Sequence, residues 1–334
     1  MGLAGNAVRG IVHSNTDLPS ASLGLVIPKG VTVLDNFGSG SSLNLTGDLI
    51  DAGRFFAYST NTGATNATLN ANDITVQHGA ILSSVLPGSL IPGLGVPVPN
   101  LSLTLNANEA LLNAGTISSA RDLNLVSGNI VNSGLITTIG GNVNISTVRP
   151  ENIVFNNTNG IIKALNGSIN FRDSSFTGAN NLTLTGGDWL AQNLNLYSGQ
   201  GSVTANVGNV SGVVNIYAGS ARTFARSGNL DLGIQDILGD PTYYNIGNIT
   251  LSNNINVGES LAILATGNII GTSALTSIDT EDSTFVGHDI TMVAGANLTP
   301  GCGSCTTDGT KNTSGSVTVD LTSLRGGDID FSAS

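Results

Sequence analysis

Short stretches of strict alternation recur along the chain. Each has a small polar residue, an aliphatic, a polar residue, a second aliphatic or aromatic, then Ser, Thr, Gly or Ala. Examples are SLNLTG at 42–47, LTLNAN at 103–108, DLNLVSG at 122–128, NVNIST at 142–147, NLTLTGG at 181–187, NLNLYSG at 193–199, VVNIYAG at 213–219 and DIDFSA at 328–333. Alternation over four or five residues reads as a strand with one buried face. It predicts that the second aliphatics, Leu125, Ile145, Leu184, Leu196 and Ile216, point inward.

These phrases are periodic. Their first aliphatics fall at 103, 123, 143, 169, 194 and 214, at intervals of 20, 20, 26, 25 and 20. Between them a turn phrase repeats, as LLNAGTI at 111–117 and IVNSGLI at 130–136, with a looser antecedent LIDAGRF at 49–55. Units of 20–25 residues with two or three strands and Gly/Asn turns are the signature of an all-β solenoid, a parallel β-helix. An antiparallel sandwich also alternates but does not need such an echo. The whole chain corresponds to roughly 13–16 coils, a rod of about 60–80 Å at the strand spacing.

The pattern is clearest over residues 41–334, and 1–40 read as an irregular N-terminal segment or cap, with Val12 and Leu18 as candidate plugs. Two excursions interrupt it. Residues 82–99, LSSVLPGSLIPGLGVPVP, carry four of the nine prolines, and proline cannot donate to a strand ladder. This apolar insertion is expected to fold back over one side of the solenoid; an exposed patch for a partner is the other reading. Residues 299–315 form a Cys-containing loop. No phrase is legible between 214 and 249.

Composition agrees with stacked strands. Charged residues are 10%, aromatics 4%, and there are 44 Gly and 39 Asn but only three Lys and four Glu. A charge repeated in every coil would stack on its own kind about 4.8 Å away. Asn instead ladders through its amide and, like Gly, tolerates left-handed turns. The formal charge of −11 opposes nucleic-acid binding and attraction to an anionic membrane surface. Residues 1–15 lack a secretion-signal pattern, and no run of 18 apolar residues predicts a membrane span.

The tract at 103–146, with ANNLTLTGGDWLAQNLNLYSG at 179–199 and ESLAILATGNIIG at 259–271, resembles the repeats of filamentous-haemagglutinin-like bacterial adhesins. The shared features are a G-N-aliphatic-x-aliphatic strand and an N-x-G turn, and they cover most of 40–334. The resemblance implies a right-handed parallel β-helix, exported and displayed on a bacterial cell or shed. It carries over no catalytic or binding residue. With no signal or secretion motif in view, the chain is expected to be a segment of a longer surface protein. Its strand phrase running to the C-terminus predicts end-to-end self-association of the isolated chain.

Candidate chemistry is sparse. Cys302 and Cys305 are the only cysteines, in GCGSC. A CxxC pair serves redox chemistry, half a metal site or a small disulfide. No strand-to-helix context suits the first, and His13, His78 and His288 are not spaced to complete a metal site. A disulfide closing a Gly-rich loop is the reading adopted. Acidic groups at Asp231, Asp236 and Asp240, at Asp279, Glu281 and Asp282, and at Asp328 and Asp330 match no calcium-loop spacing and read as solvated turns. Trp189, with Tyr197 and Tyr217 twenty residues apart in successive phrases, suggests a stacked aromatic face and a weak glycan platform. Tyr243 and Tyr244, after Pro241, are a further candidate in an irregular loop. No cofactor and no metal site are expected.

These features predict a structural or adhesive rod acting by reach and multivalent weak contact with a host or environmental glycan or protein. A β-helix polysaccharide lyase or hydrolase is the alternative, but Asp122 with Glu151, or Asp173 with Asp188, cannot be set on one face from sequence. A stalk of a secreted toxin system is the third.

Overall fold

In the computed structural model, residues 24–38, 42–91, 101–298 and 314–333 are described. The chain divides into two compact units. The first comprises Met1–Arg149 with Ile153–Asn170, the second Pro150–Asn152 with Phe171–Ser334. In both, the elements are short β-strands joined by tight turns, and the strands pair in parallel from coil to coil, so each unit is a parallel β-helix.

In the first unit, Leu123–Val126 lies between Ser102–Asn113 and Val143–Ser146. Leu103, Leu123 and Val143 form one interior column, and Leu105, Leu125 and Ile145 a second, all at 0% exposure. Leu184, Leu196 and Ile216 are likewise buried in the second unit, so the inward register of all five chosen aliphatics holds. The intervening polar positions face out and ladder. Asn124 donates to Thr104, Asn144 to Asn124 and Asn170 to Asn144 at 2.8–3.0 Å, over sequence separations of 20, 20 and 26. Each coil thus repeats its side-chain bond along with its backbone ladder.

The N-x-G turns form a second, buried ladder. Asn113 and Asn132 each accept their own turn's glycine amide and pass the amide donor to the next coil. Glycine follows because the coils pass very close: a Cβ on Gly134 would lie 2.1 Å from the Gly115 carbonyl oxygen.

Three expectations are corrected. The solenoid does not begin at residue 41. Leu25–Ile27 pairs with Leu49–Asp51, and Thr32–Asn36 with Arg54–Tyr58, so part of 1–40 is already a coil. The stretch from 214 to 249 contains no break. Asn229–Ile237 stacks directly on Val210–Ala218, with Leu232 beside Val214 and the buried Gln235 beside Ile216. Tyr243 and Tyr244 lie in a strand, Pro241–Asn245, not in a loop.

The insertion stretches one coil to a separation of 36, read between Asn70 and Asn106. Its described part folds back. Leu86 and Leu90 pack on the outer face of Leu34, Phe56 and Tyr58. That cover explains why Thr32–Asn36 and Arg54–Tyr58 are buried on both faces. A similar outer cluster in the second unit joins Phe224, Tyr244 and Leu264, covered by Ala296 and Leu298.

Candidate functional site

Asp188–Tyr197 and Val210–Ala218 build the most distinctive outer face of the second unit. Leu194 and Leu196 point inward beside Val214 and Ile216, so two-residue alternation sends Asn195, Tyr197, Asn215 and Tyr217 outward. Tyr197 and Tyr217 stack with ring centroids 4.8 Å apart and an interplanar angle of 18°. Asn215 donates to Asn195 at 2.8 Å on the same face. The column continues in register from Tyr217 to Asp236, Asn256, Asp279 and Arg325.

Burial, the Tyr197 ring and the Asp236 carboxylate together push the Tyr217 phenol above its usual range. Raised in this way, the Tyr217 phenol is a donor beside an exposed carboxylate. At the far end Arg325 lies 3.3 Å from Glu281 and 4.0 Å from Asp279. The face thus offers two aromatic surfaces, amides, carboxylates and a cation in one line.

Arg172 steadies the start of this column, a role with no sequence signal. It is buried, adopts φ 61°, and its guanidinium donates to the carbonyls of Glu151, Asn180 and Tyr197. It also stands 4.3 Å over the Phe176 ring. Burial lowers its pKa to about 10, which still leaves it charged. One side chain thereby ties the 173–181 turn to the Tyr197 strand.

The structure removes Trp189 from the platform. It is at 0% exposure, its indole Nε1 donates to the Gly186 carbonyl at 2.8 Å, and it packs 5.9 Å from the Phe171 ring. Tyr243 is also interior: its hydroxyl donates to Gln235 Oε1 at 2.7 Å, and burial raises its pKa well above 10. Tyr244 belongs to the outer cluster already described. Neither is a free platform.

Several of the acidic groups serve turns and pairs, whereas Asp231 and Asp236 lie within the strand Asn229–Ile237. Asp282 accepts from the Thr284 hydroxyl and amide and from the Val286 amide, and those bonds, the Thr284 hydroxyl first, draw its carboxyl down to about 2. Asp173 is held by Ser175, Asp240 by the Ser260 amide, and Asp328 hydrogen-bonds through its own amide to Asp289. Among the described residues, no group of three or more His, Cys, Asp or Glu is placed to hold a metal, and no helix is long and apolar enough to cross a membrane. Cys302, Cys305, Val12 and Leu18 lie outside the described residues, as do 92–99 of the Pro-rich insertion.

No protein-family model, curated protein or solved structure matches the chain.

Proposed function

We propose that this protein is a non-catalytic adhesive module of a bacterial surface or secreted protein, and that the Tyr197–Tyr217 column is its contact face for a glycan. The observation that carries the reading is the stacked, outward tyrosine pair in line with Asp236 and beside the Asn195–Asn215 pair. Aromatic faces cover the apolar side of a sugar ring while amides and carboxylates receive its hydroxyls. Such a shallow face binds weakly per contact and gains strength from repetition. Low charge, Asn ladders and the resemblance to filamentous-haemagglutinin-like repeats support a displayed scaffold.

The test applies the purified chain, beside a Tyr197→Ala/Tyr217→Ala variant, to an array of immobilised oligosaccharides. Glycan binding by the parent that falls about tenfold or more in the variant supports the reading. Binding unaffected by the double substitution, or none at all, rejects it. Release of new reducing ends from the same polysaccharides would favour the enzyme alternative instead.

A further inference from the structure

In the first unit, three successive coils turn the same corner with different lengths. The chain makes a four-residue turn at Pro28–Val31, closed by Val31 N–H to the Pro28 carbonyl at 3.0 Å. One coil on, the corner is shorter: Asp51 Oδ1 accepts the Gly53 amide at 2.9 Å and the strand resumes at Arg54. The next coil returns to a four-residue turn, Gln77–Ala80, closed at 2.9 Å. Gly30 and Gly79 take the same conformation, φ 81°, at equivalent points of the two wide turns.

A short corner between two wide ones leaves a notch. Its floor is Ala52 and Gly53, and its walls are Lys29–Gly30 and His78–Gly79, enclosing about 310 Å³ with Arg54 and Thr32. The floor is recessed by necessity, since a Cβ on Gly53 would lie 2.3 Å from the Val31 carbonyl oxygen and 2.5 Å from that of Pro28.

All three basic-type side chains of this corner line the notch, in a chain of net charge −11. Among the described residues, none of Lys29, Arg54 and His78 makes an ion pair. The Gly30 and Gly79 amides likewise have no protein acceptor among those residues. The adjoining carboxyl, Asp51, points into the core, and burial raises its pKa to about 7, which lessens the negative charge behind the floor.

We propose that this notch binds a tetrahedral oxyanion, a phosphate or sulfate group, between Lys29, Arg54 and His78. Cationic side chains supply the charge-assisted bonds, Arg54 as a planar fork and Lys29 as a point charge. Unpaired turn amides add neutral donors of the kind that cradle anions in backbone concavities. The site is separate from the tyrosine column and does not depend on its function.

The test is titration of the full chain with inorganic phosphate and with inorganic sulfate, at constant ionic strength held with sodium chloride. It is read by calorimetry and by amide chemical shifts. The expected result is saturable one-to-one binding with shifts confined to residues 28–32, 52–54 and 77–80. Affinity should fall about tenfold or more in Lys29→Gln/Arg54→Gln and stay unchanged in the distant control Arg121→Gln. The stronger of the two titrants identifies which oxyanion the notch prefers. No saturation beyond the chloride background, shifts elsewhere, or equal weakening by the control would overturn the proposal. Because all of these side chains are exposed, the variants should fold, and an unchanged amide spectrum away from the notch verifies that they do.

Discussion

The Asn113 side-chain amide donates to Asn132 Oδ1 at 2.7 Å, and Asn132 makes the same 2.7 Å bond to Asn157 Oδ1. Asn132 also donates to the Ile161 carbonyl and accepts the Gly134 amide. All three asparagines are buried. An amide suits this place because it accepts from one side and donates to the other. Asn132→Val is similar in volume but removes both functions, leaving Asn113 with only the Leu135 carbonyl as acceptor and the Gly134 amide with none. The expected loss is about 3 kcal/mol, from two or more unsatisfied buried groups. Urea unfolding with hydrogen exchange at Ser133 and Gly134 measures it. A variant as stable as the parent would mean that the ladder is incidental.

Asp51 occupies the same turn in LIDAGRF, but its second oxygen, Oδ2, is buried without a partner. Where Asn113 and Asn132 donate, an ionised Asp51 cannot. Burial accordingly raises its pKa from 3.8 to about 7, partly offset by the Gly53 amide. Between those values the folded chain holds a proton that the unfolded chain has released. Stability therefore falls as pH rises through the window, and stays lower above it. Asp51→Asn should leave stability near pH 4 unchanged and raise it at pH 8, by on the order of 2–4 kcal/mol. Melting temperatures of both proteins from pH 4 to 8 test the sign. A gap that narrows toward alkaline pH would contradict it.

Tyr243 and Gln235 form a buried pair that the outward ladders do not resemble. Gln235 accepts from the Tyr243 hydroxyl and donates to the Val214 carbonyl at 2.8 Å. Tyr243→Phe keeps the ring but strands Gln235 Oε1, for an expected loss of about 1–3 kcal/mol. Tyr243→Phe combined with Gln235→Met should recover part of that loss, because Gln235 Oε1 is no longer stranded and only the Val214 carbonyl loses a side-chain donor. Chemical denaturation of the two variants decides whether hydrogen-bond satisfaction, not shape, governs this position.

The coil, its period and its interior columns were legible because a strand with one wet face must alternate. Legibility failed where that condition lapsed. Thr32–Asn36 is covered on both faces, so TVLDN shows no alternation and the first coil reads as an irregular segment. Gln235 occupies an interior position, and the pairing of its strand shifts between Val214 and Ile216, which hid NLDLGIQDI. Trp189 leaves the platform for a related reason. Counting by twos from Leu194 and Leu196 puts it outside, but the pairing shifts between Leu190 and Asn193 and returns it to the core. Tyr197 and Tyr217 lie beyond that shift, in phase with the aliphatics, and their stacking followed from the 20-residue spacing. Neither Arg172 nor the notch at Gly53 is periodic, so neither left a pattern to read.

The insertion offers a choice between cover and docking patch, and one double substitution separates them. Leu86 and Leu90 rest on Leu34, Phe56 and Tyr58, which are 8%, 3% and 3% exposed. Leu34 and Phe56 are register partners on the outer side of the sheet, where other coils present polar ladders. If the leucines are cover, Leu86→Ser/Leu90→Ser uncovers an apolar patch on the first unit. Both leucines are half-buried, so the loss should be about 1 kcal/mol for each, less than for a fully interior leucine. The variant should also bind a hydrophobic dye that the parent excludes. Adding Leu34→Thr and Phe56→Thr, which makes the uncovered strands resemble the threonine-bearing strands elsewhere, should abolish that dye binding. If the leucines instead serve a partner, the double substitution leaves unfolding unchanged and draws no dye. Unfolding curves and dye fluorescence on the same samples distinguish the two, and the two-sided burial of Phe56 favours the first.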